Sequence, residues 1–209
     1  MIDFILKVVL AWALGSVVGS LVLGRLRGGP DIRAFGSGNA GSTNAWRTGG
    51  ATFGIAVFVI DAGKGWLAVR LAATVMPWSA FGAVFRPVMF GPWLPVACGA
   101  AAVVGHVYPL WFGLRGGKGM ATLVGALGAL APRLLLPLAV AWLAVLGASG
   151  FVGLSSMLSV VATAAWQIFE GAPGPLTVFV VAAALFMIFT HRANIARMRA
   201  GTEPRRKLR

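Results

Sequence analysis

Long apolar runs separated by short polar segments dominate this chain. They cover residues 3–24, 51–75, 93–113, 119–132, 134–148, 151–169 and 175–190. Several approach the roughly 20 residues that an α-helix needs to cross a bilayer. The pattern predicts an all-α integral membrane protein with about seven transmembrane helices. The runs between 119 and 169 are short and interrupted by Gly or Pro, so this part of the chain is also compatible with fewer, broken spans.

The composition supports a membrane assignment. Of the 209 residues, 58% are hydrophobic and only 11% are charged, which is more apolar surface than a soluble domain of this length can bury. Without a linker or a convincing internal repeat, residues 1–209 are expected to form a single polytopic membrane domain with a basic C-terminal tail at 192–209. The single Cys98 lies in a predicted span and is interpreted as a packing residue.

The distribution of positive charge predicts the orientation. If the chain crosses seven times with its N-terminus outside, most of the 18 Lys and Arg residues face the cytoplasm. The outside flanks then carry only Lys7, Arg86 and Arg133, while Lys64 and Arg70 lie within the second span. We therefore expect a cytoplasmic C-terminus. The net charge of +13 is juxtamembrane, which favours membrane lipid headgroups over nucleic acid as the general partner.

A polar, glycine-rich stretch at residues 36–49, called here the first polar segment, is the most informative part of the chain. Glycines let backbone N–H groups converge on an anion, hydroxyl and amide side chains add donors, and arginine adds a two-pronged positive charge. Simple turn formation or close helix packing is the alternative. The candidate anion ligands are Gly36, Ser37, Gly38, Asn39, Gly41, Thr43, Asn44 and Arg47.

The second polar segment, residues 115–122, repeats this chemistry at the start of a predicted helix, where backbone amides and a lysine favour phosphate. It is not a P-loop, because Gly119 stands where that motif needs Ser or Thr. The candidates are Gly116, Gly117, Lys118, Gly119 and Thr122. Two such segments predict one site for phosphorylated substrates.

The predicted topology brings residues 25–50, 114–119, 149–156 and 190–203 to the inside face, where they can share one pocket. It adds the candidates His106, Ser155, Ser156, His191, Asn194 and Glu203. Each histidine is equally compatible with a structural role. Asp61 and Lys64, three residues apart on a helix, are interpreted as a structural ion pair, with a site wall as the alternative.

Several chemistries are excluded by the sequence. Two histidines and one cysteine offer no zinc or haem spacing, so neither a metal nor a cofactor is expected. The chain also lacks a Gly-x-Ser-x-Gly nucleophile elbow and a His-x-x-x-x-Asp acyltransferase motif.

Four motifs in order resemble the bacterial acyl-phosphate:glycerol-3-phosphate acyltransferases, the PlsY family. They are Gly36–Asn44 with Arg47; Asp61-Ala-Gly-Lys-Gly65; Gly105-His-Val-Tyr-Pro109 followed by Gly116–Thr122; and His191–Arg197 with Gly201-Thr-Glu203. The resemblance implies an inner-membrane enzyme, with its active site facing the cytoplasm, that transfers an acyl group from acyl phosphate to the 1-hydroxyl of glycerol 3-phosphate. Lysophosphatidic acid and inorganic phosphate are the expected products, and the substrate's own phosphate is a hypothetical proton acceptor.

The resemblance also implies residue roles. His191 and Asn194 are expected to contact glycerol 3-phosphate, with Glu203 ordering that segment. The expected catalytic residues are Ser37, Arg47, Lys118, Ser156 and His191. One departure concerns residues 151–156, where family members often read Tyr-Val-Ser-Leu-Gly-Ser and this chain has Phe-Val-Gly-Leu-Ser-Ser.

Two other classes compete with the enzyme. A transporter of a phosphorylated solute also uses interrupted helices with basic breaks, but it needs polar groups that continue to the outer face. A structural scaffold leaves the polar density of residues 36–49 unexplained. The oligomeric state is left open, and a monomer is compatible with the sequence.

Overall fold

The computed structural model describes residues 1–71, 91–171 and 173–206. These residues form helices joined by short 3₁₀ turns and contain no strand. The helices are α1 Ile2–Gly15, α2 Gly19–Leu26, α3 Ser42–Leu71, α4 Trp93–Val107, α5 Met120–Leu130, α6 Leu135–Ser149, α7 Val152–Phe169, α8 Pro175–Thr190 and α9 Arg192–Arg199. The chain divides into two compact units, Met1–Leu130 and Ala131–Arg209.

The sequence predicted one helix for the first apolar run. In the structure this run breaks between α1 and α2 with a bend of 51°. The backbone groups freed at the break find charged partners. The amide of Gly19 donates to Asp61 Oδ1 at 3.0 Å, and the carbonyl of Val17 accepts from Lys64 Nζ at 2.8 Å. Such a break inside an apolar segment is stable only where protein or water satisfies these groups.

Helix α3 begins earlier than predicted and is interrupted. The sequence placed a polar loop up to residue 49, whereas the structure starts the helix at Ser42. Gly50 then interrupts the helical path with φ 83° and ψ 177°. Only glycine adopts this conformation readily, so Gly50 lets the chain change direction between residues 42–49 and the apolar part of α3.

Within the first unit, α3 packs closely against α5, and α1 packs against α4. Glycines allow the α3–α5 approach. A Cβ atom on Gly65 would overlap the carbonyl oxygen of Thr122, and one on Gly125 would overlap that of Ala62. Small residues at helix crossings are typical of membrane proteins, where packing rather than the hydrophobic effect holds helices together.

The second unit stacks α6 on α7 and α7 on α8, and α9 also contacts α7. Hydroxyl groups along α7 are satisfied within the helix, as Ser159 and Thr163 both donate to carbonyls of the preceding turn. Leu136, Val140 and Leu143 project from α6 with more than half of their surface exposed. An apolar exposed face of this kind suits a lipid environment.

Four described helical segments are long and apolar enough to cross a membrane: Ser42–Leu71, Trp93–Phe112, Pro132–Ser149 and Val152–Phe169. The number rises to six if α1 with α2, and α8 with α9, each form one bent span. Helix α5 has 11 residues and is shorter than a span. Seven spans therefore stay a prediction, as does the orientation; Arg86 and residues 72–75 of the second predicted run lie outside the described residues.

Candidate active site

The buried side chain of Asn44 organises the first polar segment. Its Nδ2 donates to the carbonyls of Ile32, Phe35 and Asn39 at 3.0 to 3.3 Å, and its Oδ1 accepts from the Ser37 amide at 2.9 Å. Both hydrogen-bonding ends of the amide are thus used by the chain itself. Asn44 therefore shapes the loop, although the sequence suggested it as a substrate ligand.

Other candidates of this segment remain at the surface. Gly36 and Gly38 have positive φ angles, which turn the loop before α3 begins. Thr43 and Arg47 lie exposed on the first two turns of α3, and Ser37 is half-buried. The structure thus presents a hydroxyl and a guanidinium from a helix start instead of from a continuous loop.

The second polar segment contains a turn at residues 116–119, called here the glycine turn, which lies against the end of α4. The amides of Gly116 and Gly117 donate to the carbonyls of Val107 and His106 at 3.0 and 3.1 Å. Because the last carbonyls of a helix lack intrahelical donors, these amides satisfy α4 instead of pointing to a ligand. The sequence had assigned both amides to a phosphate.

Two other elements of this segment lie at the start of α5. Gly119, with φ 94°, leads into α5, and Lys118 is half-buried just before that helix. A lysine beside the N-terminus of a helix is a favourable place for a phosphate. Thr122 is fully buried in the first turn of α5, away from the surface.

Arg33 links the 3₁₀ turn that precedes the first polar segment to the second polar segment. Its Nη1 donates to the carbonyls of Phe112 and Arg115 at 3.0 and 2.6 Å, and its Nε and Nη2 contact the carboxylate of Asp31. These hydrogen bonds hold the pKa of Asp31 below its usual value and raise the pKa of Arg33. A cavity of about 360 Å³ lies at this junction, with Arg33 and Arg115 in its lining.

The sequence did not single out Arg33 as a connecting residue. Its carbonyl partners lie 79 and 82 residues further along the chain. No periodicity or spacing signals a contact of that separation, so only the folded structure reveals it.

Asp61, Lys64 and His106, called here the buried triad, lie inside the first unit. Lys64 Nζ lies 2.8 Å from Asp61 Oδ1 and 2.8 Å from His106 Nδ1. His106, a candidate substrate ligand from the sequence, is only 2% exposed. The structure therefore places its ring behind the glycine turn, since Gly117 lies against Nε2.

In the second unit, His191 lies between α8 and α9, Asn194 lies in α9, and Glu203 follows α9. His191 Nδ1 donates to the carbonyl of Met187 at 2.8 Å, which leaves Nε2 as the acceptor of the neutral ring. Asn194 Nδ2 donates to Glu203 Oε1 at 2.6 Å, and Arg197 Nε donates to Glu203 Oε2 at 2.7 Å. Glu203 thus fixes two side chains of α9.

Ser155 and Ser156 lie buried near the start of α7. Ser155 Oγ donates to the Phe151 carbonyl at 2.8 Å, and Ser156 Oγ donates to the Val152 carbonyl at 3.0 Å. Gly153 contacts the amide of Asn194, and a Cβ atom there would approach Nδ2 to 2.6 Å. The glycine that departs from the usual family sequence therefore makes room for Asn194.

The structure brings sequence-distant candidates together within each unit. In the first unit, Arg33 links the turn before the first polar segment to Arg115 of the second. In the second unit, Asn194 of α9 lies against Gly153 of α7 and bonds to Glu203. Among the described residues no group of three or more His, Cys, Asp or Glu side chains is placed to hold a metal ion.

Comparisons with known proteins match almost the whole chain. The sequence model of the glycerol-3-phosphate acyltransferase family matches residues 5–201. A glycerol-3-phosphate acyltransferase of Geobacillus kaustophilus is 40% identical over 203 residues, which are 97% of this chain and 95% of the relative. One of Listeria monocytogenes is 39% identical over 206 residues, covering 99% of this chain and 98% of the relative.

The fold is also shared with solved structures. The crystal structure of PlsY (YgiH), an integral membrane glycerol 3-phosphate acyltransferase in its glycerol 3-phosphate form, has a TM-score of 0.84 and 31% identity, and the match covers 98% of this chain and 96% of that one. The lysophosphatidic acid form of PlsY matches with a TM-score of 0.81.

The all-helical fold, its apolar candidate spans and its polar segments define a multi-pass membrane enzyme of the acyltransferase class. The chain belongs to the glycerol-3-phosphate acyltransferase family. This membership confirms the resemblance found in the sequence and favours the enzyme over the transporter and scaffold alternatives.

Proposed function

We propose that this protein acylates the 1-hydroxyl of glycerol 3-phosphate with acyl phosphate as the donor, releasing lysophosphatidic acid and inorganic phosphate. The observation that carries the proposal is the contact of Arg33, just before the first polar segment, with Arg115 of the second, in a member of this family. Both substrates carry phosphate, and each segment offers exposed or half-buried cations: Arg47 in the first, and Arg115 and Lys118 in the second.

The proposed reaction is an acyl transfer from an activated donor. The hydroxyl oxygen attacks the acyl carbonyl carbon, the bond from that carbon to the phosphate oxygen breaks, and phosphate leaves. Because acyl phosphate is a mixed anhydride, its carbonyl is already activated. The protein must mainly hold two anions in position and stabilise the developing oxyanion.

The first unit provides the proposed phosphate ligands. Ser37, Thr43 and Arg47 of the first polar segment serve one phosphate. Lys118 and the first amides of α5 serve the other. Asn44, Gly116 and Gly117, whose polar groups bond within the chain, support these ligands in our proposal.

The second unit provides Ser156, His191 and Asn194 as proposed substrate contacts. His191 Nε2, the acceptor atom of its ring, suits a hydroxyl donor such as that of glycerol 3-phosphate. The hydroxyl proton passes to a phosphate oxygen of the substrate. A His191→Asn variant that loses turnover while its KM values hold would instead assign the proton to His191.

We also propose that the enzyme lies in the bacterial inner membrane with its polar segments facing the cytoplasm. The positive charges of both segments and of α9 support this orientation, because basic residues concentrate on the cytoplasmic side. Metabolites such as glycerol 3-phosphate are then directly accessible.

The test is phosphate release by the purified protein in detergent, given palmitoyl phosphate with and without glycerol 3-phosphate. We expect release to need both substrates and to yield lysophosphatidic acid. Arg47→Ala and Lys118→Ala should each lower kcat/KM by about a hundredfold or more, as expected for loss of a charged phosphate contact.

Arg70→Ala is the matched control. Arg70 also lies on α3, but at its other end, where it packs over Trp66 at 5.4 Å. Its loss should leave turnover unchanged. Turnover with acyl-CoA in place of acyl phosphate would contradict the proposed donor, and equal activity in all three variants would contradict the proposed phosphate ligands.

A further inference from the structure

Lys64 is the hydrogen-bonded centre of the buried triad, whereas Asp61 Oδ2 has no hydrogen-bond partner among the described residues. Lys64 has three N–H donors, and the structure provides three acceptors at 2.8 Å: Asp61 Oδ1, the Val17 carbonyl and His106 Nδ1. A protonated lysine can only donate, so Nδ1 of His106 accepts and the ring proton lies on Nε2. His106 Nδ1 also lies 3.4 Å from Asp61 Oδ1. The imidazole is therefore fixed in both tautomer and orientation.

The opposite edge of this fixed ring lies against the glycine turn. A Cβ atom built on Gly117 would overlap His106 Nε2. The Gly117 amide also donates to the His106 carbonyl at 3.1 Å. The residue before Lys118 in the glycine turn thus contacts both the backbone carbonyl and the imidazole ring of His106.

Gly117 itself does not need to be glycine for backbone reasons. It is not among the described residues with a positive φ, whereas Gly119, two residues later, has φ 94°. What excludes a side chain at Gly117 is the imidazole. At Gly116 the obstacle differs, because a Cβ there would overlap the backbone carbonyl of His106 and approach Pro109 Cδ to 2.9 Å.

We propose that His106 is a positioning residue for Lys118: the imidazole, held by Lys64 and Asp61, sets the path of the glycine turn. This inference rests on the proposed function, because it takes Lys118 as a phosphate ligand. His106 then acts from behind the turn and contacts neither substrate. The two charged residues of α3 act on the reaction only through the ring.

The arrangement also explains why charged groups lie inside the first unit. Buried charges are tolerated when paired, and here the same pair satisfies the α1–α2 break and orients His106. A purely structural triad predicts loss of stability when His106 is changed. A positioning role predicts in addition a specific change in the KM for one phosphorylated substrate.

The experiment compares five variants: Gly117→Ala, Gly116→Ala, His106→Asn, and His106→Asn combined with each glycine change. Asparagine keeps an acceptor for Lys64 but removes the edge of the ring that faces Gly117. The KM values for palmitoyl phosphate and glycerol 3-phosphate, kcat and the midpoint of thermal unfolding are measured for each. His106→Ser is the substitute if His106→Asn does not give folded protein.

Gly117→Ala should raise the KM for one substrate about tenfold with a smaller change in kcat, as expected for a displaced binding group. His106→Asn alone should raise the same KM by a few-fold. In the His106→Asn background Gly117→Ala should add less than about twofold, since the clash is gone. Gly116→Ala should cost the same in both backgrounds, because its obstacle is backbone.

Two results would overturn the proposal. One is an equal cost of Gly117→Ala in both backgrounds, which would show that the ring does not set the turn. The other is a His106→Asn variant that loses kcat with both KM values unchanged, which would place the ring in the chemical step.

The proposed reaction and this inference can fail separately. If the wild-type protein shows no turnover, stabilisation of each variant by glycerol 3-phosphate and by inorganic phosphate replaces the KM values. The same dependence of Gly117→Ala on His106 is expected in those binding measurements. Its absence would overturn the positioning role whatever the reaction is.

Discussion

The amide of Asn44 shows how much of the first polar segment depends on one buried residue. It makes four hydrogen bonds to backbone groups on both sides of the loop. Asn44→Ala should lower the free energy of unfolding by about 2 kcal/mol, because four backbone groups lose a hydrogen-bond partner around a buried side chain. The thermal unfolding of both proteins in detergent measures this loss of stability.

The neighbouring Thr43→Ala is the stability control for Asn44→Ala, since Thr43 is exposed. It should leave the unfolding midpoint close to that of the wild type. An Asn44→Ala variant as stable as the Thr43 variant would mean that the loop is held by other contacts.

Gly153 makes a second prediction at the scale of one residue. Gly153→Ala brings a methyl group against the Asn194 amide and should break its 2.6 Å hydrogen bond to Glu203. Hydrogen bonds to a charged group contribute about 1.5–3 kcal/mol, so kcat/KM should fall roughly tenfold to a hundredfold if Asn194 must be held in place.

Gly147→Ala controls for the loss of a helical glycine in the same unit. No atom of the described residues lies within 4 Å of a Cβ built there, so the added methyl group should be neutral or stabilising. If both variants kept full activity, the bond between Asn194 and Glu203 would have no part in turnover.

At the scale of an element, the break in α3 determines where Arg47 points. Gly50→Ala meets no steric obstacle in the part of the chain that the structure describes, but φ 83° and ψ 177° are strained for any residue with a Cβ. The strain should cost about 1–3 kcal/mol or redirect residues 42–49. For Gly50→Ala we expect a lower midpoint of thermal unfolding and a raised KM for one of the two phosphorylated substrates, both measured against the wild type.

Gly63→Ala provides the comparison within the same helix. Among the described residues, Gly63 also has no atom within 4 Å of a built Cβ, but it does not have a positive φ. Its change to alanine should slightly stabilise α3. Similar losses at both positions would argue against backbone strain at Gly50.

The 3₁₀ turn at Ile32–Ala34 carries the ion pair between Asp31 and Arg33, and its pH dependence has a definite sign. Because Arg33 lowers the pKa of Asp31, the contribution of the pair is present above the unfolded-state pKa and is lost as the pH falls through the lowered value. Asp31→Asn should cost less than about 1 kcal/mol, since the pair is exposed.

The unfolding midpoints of the wild type and Asp31→Asn measured against pH test this sign. Their difference should be constant from about pH 5 to about pH 8 and should shrink below about pH 4. A difference that grew on acidification would show that the carboxylate is not stabilised by Arg33.

At the scale of the whole molecule, the sequence predicted the helices well and their breaks poorly. Apolar runs at 134–148, 151–169 and 175–190 match α6, α7 and α8 to within a residue or two. The length of an apolar run is a local property, so the local sequence predicts it. The bend before Gly19 depends on Asp61, 42 residues away, and such long-range satisfaction leaves no local signal.

The candidate site follows the same physical distinction. Residue type predicted an anion-binding function for both polar segments, because charge and hydrogen-bonding capacity belong to the residues themselves. Whether an amide faces a ligand or the chain depends on folding. Asn44 and Gly117 proved to bond internally, while Arg33 gained a connecting role.

The orientation of the chain can be tested with cysteine labelling. Cys98 is the only cysteine and is fully buried, so Cys98→Ala gives a background without thiols. Thr43→Cys then places a thiol on an exposed position of the first polar segment. We expect a membrane-impermeant maleimide to label it in inside-out vesicles but not in intact spheroplasts, because the positive-inside rule puts this segment in the cytoplasm.

Gly171→Cys, in the exposed turn after α7, provides the opposite face for comparison. An odd number of spans with the N-terminus outside puts residue 171 outside, so intact spheroplasts should label it. Labelling of both positions from the same side would show that the number of crossings between them is even, which would exclude the predicted seven-span topology while leaving the acyltransferase assignment intact.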